Sequence, residues 1–156
     1  EAAISGALTD LGYTLASLRT SEVCPKSVAA VKEPWEGKME GRDVQCISDG
    51  ERVTLKDHIA EGKFTIVDFG APWCGPCHEA AEALAKYLDA HADVAVRVVN
   101  LGAEDVTGSY ALPAAQQHLQ YAPGIPWFQA YNAKGKTVYK GLSLDELFDA
   151  IEKQHK

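Results

Sequence analysis

Two cysteines separated by two residues, Cys74-Gly75-Pro76-Cys77, carry the clearest chemistry in the sequence. Two intervening residues put the second sulfur one helical turn beyond the first. That is close enough for one cysteine to attack a mixed disulfide held on the other. The preceding run, Phe64-Thr65-Ile66-Val67-Asp68-Phe69, reads as a strand, and the chain turns helical after Pro76. Cys74 then falls at a helix N-terminus, where unpaired N–H groups and the helix dipole favour an anion. A thiol there is acidified, so its thiolate is available as a nucleophile near neutral pH. Pro76 suits the first turn because that N–H has no helical partner. The expected chemistry is thiol–disulfide exchange through a mixed disulfide on Cys74, resolved by Cys77.

Asp68 stands six residues before Cys74 in the apolar strand. A carboxyl in such surroundings is desolvated, and its pKa rises. His78 follows the pair directly; protonated, it would add to thiolate stabilisation, and otherwise it is a solvated surface histidine. The string Cys74 to His78 also fits C-x-x-C-H, the haem c attachment pattern, with His78 and Met39 as axial ligands. That reading leaves the preceding strand and Ile125-Pro126 without a purpose. Zinc held by Cys74, Cys77 and His78 lacks a fourth ligand at suitable spacing, so no metal is assigned.

The elements that must position the pair follow from periodicity. Ala3, Ile4, Leu8, Leu11, Leu15 and Leu18 recur at helical spacing. Residues 21–42 are polar and carry Pro25, Pro34, Gly37 and Gly41, which predicts an irregular connection. Asp49-Gly50 between the runs 44–48 and 51–55 predicts a hairpin. From residue 64 the order is strand, helix, strand, helix, strand, strand, helix. The middle helix starts near Pro113, and the last opens on the capping box Ser143-Leu144-Asp145-Glu146. The fold class is α/β, a mixed sheet with helices on both faces. Residues 1–42 form an N-terminal helical extension and residues 43–156 the main domain.

Val67-Asp68-Phe69, Trp73-Cys74-Gly75-Pro76-Cys77 and Gly124-Ile125-Pro126 together closely resemble a thioredoxin, over about residues 60–153 with an insertion near 102–120. The approach through Asp49-Gly50 to His58 resembles the exported thioredoxin-like reductases related to TlpA. The resemblance implies a thioredoxin-like sheet, Cys74 as the attacking thiol and Cys77 as the resolving thiol. It makes Asp68 the buried acid that exchanges protons with Cys77. It places a cis peptide before Pro126, with Ile125 backbone groups facing Cys74 and pairing with an extended substrate segment. Trp73 would cover the site. It implies no cofactor beyond the redox-active disulfide. Partners would be protein disulfides and an upstream thiol electron donor. Gly75-Pro76 resembles reducing thioredoxins more than strong oxidants, which favours a reductase; an oxidase or isomerase, or a non-catalytic interaction module, would use the same fold. Gly70 and Ala71 depart from the family where an aromatic is common, which suggests a more open site.

Composition bounds the remaining possibilities. The chain has 156 residues, 46% hydrophobic and 24% charged, which suits one soluble domain with an extension. Its net charge of −7 argues against a sequence-independent nucleic-acid surface, which needs a basic face. No apolar run reaches membrane-spanning length. Cys24 and Cys46 are expected to form a structural disulfide if the chain is exported. The start at Glu1 fits a removed signal or anchor, so a periplasmic or other extracytoplasmic location is expected, with the cytoplasm as the alternative.

Overall fold

The computed structural model describes residues 32–103 and 105–155. Its elements are β1 (Val44–Ser48), a 3-10 helix (Leu55–His58), β2 (Phe64–Gly70), α1 (Gly75–Ala90), β3 (Val94–Asn100), α2 (Val106–Tyr110), α3 (Pro113–His118), β4 (Trp127–Tyr131), β5 (Thr137–Gly141) and α4 (Leu144–Gln154). Five strands form one sheet in the order β1-β3-β2-β4-β5. β3 runs parallel to β1 and β2, and β4 is antiparallel to β2 and β5. The expected mixed α/β sheet is thus present.

β2 and β3 lie at the centre because their sequences carry apolar side chains on both faces. Every residue of β3 is buried, and so is every residue of β2 after Phe64. Alternation along β2 sends Ile66 to a core shared with Trp35, Leu84, Leu88, Phe128, Leu147 and Ile151. Val67 and Phe69 join a second core with Leu55, Val99, Leu101, Ala115 and Leu119. α1 and α4 therefore close one face, and α3 with the 3-10 helix closes the other.

The expected hairpin does not form. Asp49-Gly50 does turn the chain, and Gly50 takes φ +116°, but residues 51–54 form no strand. β1 pairs instead with β3. The backbone after the turn is satisfied by α3: Ala114 N–H donates to the Gly50 carbonyl at 2.8 Å, and Gln117 Oε1 accepts from Val53 N–H at 2.9 Å. His118 Nε2 donates to the Val53 carbonyl at 2.9 Å. A partner distant in sequence outcompeted the local pairing that Asp-Gly signals.

The segment 102–122 holds two short helices rather than one. The capping box is half made: Ser143 Oγ accepts from Glu146 N–H at 3.2 Å, but the Ser143 N–H goes to the Tyr139 hydroxyl at 3.1 Å. The predicted helix over residues 3–18 lies outside the described residues. Part of the stretch read as a connection does not stand apart from the sheet: Trp35 and Met39 belong to the same buried cluster as Val44 and α1.

Candidate active site

Cys74 is the N-cap of α1, with extended backbone (φ −93°, ψ 104°), and its Sγ accepts from the Cys77 N–H at 3.2 Å. Pro76 sits in the first turn, as its missing donor allows. Cys74 and Cys77 are joined by a disulfide, with Cα atoms 5.2 Å apart. Cys74 is 4% exposed and Cys77 only 1%, so Cys74 is the outer of the two. Gly75 and Pro76 are exposed beside them. The end of β2 delivers the pair, and the N-terminus of α1 supplies the anion-favouring field.

The Ile125–Pro126 peptide is cis, as the resemblance implied. The Ile125 carbonyl oxygen lies 3.8 Å from Cys74 Sγ. Ile125, Pro126 and Trp73 are half-buried around the disulfide. Trp73 is held in place: its Nε1–H donates to Ser109 Oγ at 2.8 Å, and Ser109 hydrogen-bonds the Leu101 carbonyl in turn. α2, in the inserted segment, thus buttresses the aromatic cover of the site. His78 is not a free surface side chain. Its Nε2 donates to the Pro72 carbonyl at 2.7 Å and ties α1 to the loop before Trp73.

Asp68 lies beneath the disulfide and is 2% exposed. Burial pushes its carboxyl up to about 6, and the Trp35 indole pulls the other way by donating to Oδ2 at 2.9 Å. Oδ1 is buried and has no hydrogen-bond partner among the described residues. Gly70 leaves open the space that borders both the sulfur and the carboxyl. A Cβ on Gly70 would stand 3.3 Å from Cys77 Sγ and 3.8 Å from Asp68 Oδ1. Ala71 is fully buried, and Pro34 and Trp35 reach the space beside Gly70.

A thioredoxin family model matches residues 49–153. The chain belongs to the thioredoxin family. It is 44% identical over 91 residues to the thioredoxin of Alicyclobacillus acidocaldarius subsp. acidocaldarius, covering 57% of this chain and 87% of that one. It is 28% identical over 141 residues to a protein disulfide-isomerase of Triticum aestivum, covering 81% of this chain and 25% of that one. Spinach chloroplast thioredoxin f superposes with a TM-score of 0.53 at 18% identity, over 73% of this chain and 95% of that one. The chain spans less than half the length of several curated relatives it matches.

Within this thioredoxin fold, Cys74, Cys77, Asp68, Trp73, Gly75, Pro76, Ile125, Pro126 and His78 all gather at the C-terminal end of β2. The haem reading is not favoured: the two thiols bond each other, His78 Nε2 holds the Pro72 carbonyl, and Met39 is packed in the core. Among the described residues, no three His, Cys, Asp or Glu side chains group as metal ligands. Cys46 is not a free thiol; its expected partner Cys24 lies outside the described residues. Sequence reasoning missed Glu33, Trp35, Asn100 and Ser109. Only Trp35 left a signal, a large aromatic in a polar Pro/Gly-rich stretch that needs a buried place.

Proposed function

We propose that this chain is a thiol–disulfide oxidoreductase that reduces protein disulfides by dithiol exchange. One observation carries the reading. A disulfide whose outer sulfur caps a helix stands above a buried carboxyl with an orphaned oxygen. In the reduced protein the Cys74 thiolate attacks a substrate disulfide, and one substrate sulfur leaves as thiolate. Cys77 gives its proton to Asp68, attacks Cys74 Sγ and releases the second substrate sulfur. The substrate gains two electrons, and Cys74–Cys77 becomes a disulfide. An upstream thiol donor returns the pair to the dithiol. The Ile125 backbone beside Cys74 pairs with an extended substrate segment. Gly75-Pro76 supports the reducing direction. Cys46, which is not a free thiol, supports an oxidising extracytoplasmic compartment, with Cys24 as its partner.

Two measurements test this. Cys77→Ser should trap substrate as a stable mixed disulfide on Cys74, and failure to trap any refutes the exchange mechanism. Equilibration of the pair against glutathione should give a potential on the order of −270 mV. A value near −120 mV would make the protein an oxidase or isomerase on the same fold.

A further inference from the structure

The proton that Asp68 takes from Cys77 has to reach water, and Asp68 itself is 2% exposed. Beside it lies a cavity of about 20 Å³, lined by Glu33, Trp35, Met39, Asp68, Cys77 and Asn100 among others. That is room for one water molecule. Among the described residues no lysine, arginine or histidine lines it, and Val98 stands opposite Asp68 in the sheet register. Among the described residues, two carboxyls therefore share one small space with the resolving cysteine and no cation.

The two carboxyls are held differently. Asp68 Oδ2 is occupied by the Trp35 indole, so the orphaned Oδ1 is the oxygen left for proton exchange. Glu33 is 5% exposed, and its Oε1 accepts from Asn100 Nδ2 at 3.3 Å. Asn100 Nδ2 also approaches Asp49 Oδ1 at 3.5 Å. Glu33 begins a surface turn in which its own N–H donates to the exposed Glu36 side chain at 3.3 Å. Its backbone is thus joined to an exposed side chain while its own carboxyl lines the cavity.

We propose that Glu33 is the second acid of the proton path behind Cys77, exchanging a proton with Asp68 Oδ1 across this cavity. Glu33 acts through Asp68 and is a positioning residue for the proton, not a catalytic residue. The inference rests on the thiol-exchange reading above. In the second step the Cys77 proton passes to Asp68 Oδ1, and the sulfur electron pair forms the bond to Cys74. The bond from Cys74 to substrate breaks, its electron pair leaves on the substrate sulfur, and that sulfur takes a proton from water. Asp68 returns to carboxylate by passing its proton to the Glu33 carboxylate, which loses it to solvent. Burial, then the Asp49 and Glu36 carboxylates, push Glu33 up to about 7, close to the value of about 6 for Asp68. A transfer between groups so matched is nearly level in free energy. Among the described residues, the Asp49 and Glu36 carboxylates, the Trp35 indole, the Asn100 amide and Cys77 are the other polar groups set against this pair.

The test is a stopped-flow reaction of the reduced protein with dithiobis-nitrobenzoate. The first thionitrobenzoate released reports attack by Cys74, and the second reports resolution by Cys77. In Glu33→Gln the first phase should be unchanged. The second should slow on the order of tenfold near neutral pH, because a relayed proton transfer carries part of what a direct one does. Its pH profile should also lose one of two ionisations. Glu33→Asp should restore part of the rate. Asp68→Asn alone should slow the second phase, and adding Glu33→Gln to it should change nothing further. A Glu33→Gln profile that superimposes on the parent overturns the relay, as do effects of the two substitutions that simply add. A parent that never releases the second thionitrobenzoate overturns the thiol-exchange reading itself.

Discussion

Asp68→Asn separates the cost of burying a carboxylate from everything else this side chain does. The ordinary carboxyl value of 3.8 rises to about 6 in the fold, with burial as the largest cause. At 1.36 kcal/mol per pKa unit, that gap corresponds to roughly 3 kcal/mol. Below about pH 3 the group is protonated in both folded and unfolded chains and costs nothing. As pH rises past 3.8 the unfolded chain releases its proton first, so ionisation favours unfolding. Above about pH 7 essentially the whole penalty is present. The asparagine keeps an oxygen for the Trp35 indole but removes the charge. Its own buried N–H groups lack an acceptor, which costs about 1–3 kcal/mol at every pH alike. The pH-dependent part is therefore the decisive quantity. Urea unfolding of the oxidised parent and variant should show the variant gaining on the parent by roughly 3 kcal/mol between about pH 3 and about pH 8. For a chain of this length that gain is about 6–12 °C of melting temperature. Glu33 titrates over part of the same range and lines the same cavity, so the comparison is repeated with Glu33→Gln in both proteins. A gap that stays constant across this range would refute the buried-carboxylate account of Asp68.

Other perturbations probe the supports of the site. Ser109→Ala removes the acceptor for the Trp73 indole, and should cost about 1 kcal/mol in urea unfolding while raising Trp73 mobility by fluorescence anisotropy. An unchanged anisotropy would show that α2 does not hold Trp73. Gly70→Ala presses a methyl to 3.3 Å from Cys77 Sγ. It should destabilise by about 1 kcal/mol or more, and crystallography of the variant should show the Cys77 side chain displaced. Asp43→Ala strips the buried Arg97 guanidinium of its 2.9 Å partner and Lys63 of the same carboxylate. The loss should be roughly 2 kcal/mol, below the fully buried case because Asp43 is partly exposed. Adding Arg97→Met should recover much of it, and failure to recover would place the cost elsewhere.

The reactive pair, its flanking elements and the apolar strand holding Asp68 were legible because each is written in contiguous residues. A C-x-x-C string at a strand-to-helix switch needs no distant partner to set its geometry. Period-two and period-3.6 apolar patterns likewise report which faces are buried. Ile125-Pro126 was legible only through family resemblance, since nothing local brings residue 125 to residue 74. The Asp49-Gly50 turn shows where local signals lose. The turn formed, but the following backbone found its hydrogen bonds on α3, some sixty residues onward. A local pattern specifies a bend, not the partner that will satisfy the chain beyond it.

The sequence by itself determined the chemistry: two thiols at helical spacing, a carboxyl sunk in an apolar strand, and a sheet of the thioredoxin kind. Tertiary structure decided how that chemistry is tuned. Trp35, Glu33, Asn100 and Ser109 lie far along the chain from the residues they serve. They reach the site only because β1 docks on β3 and the segment before β1 packs beneath the sheet. Hydrogen bonds and burial act through space over a few ångströms, so a residue's influence on Asp68 or Trp73 depends on where folding carries it. That position is set by the packing of the whole core, not by any short stretch of sequence.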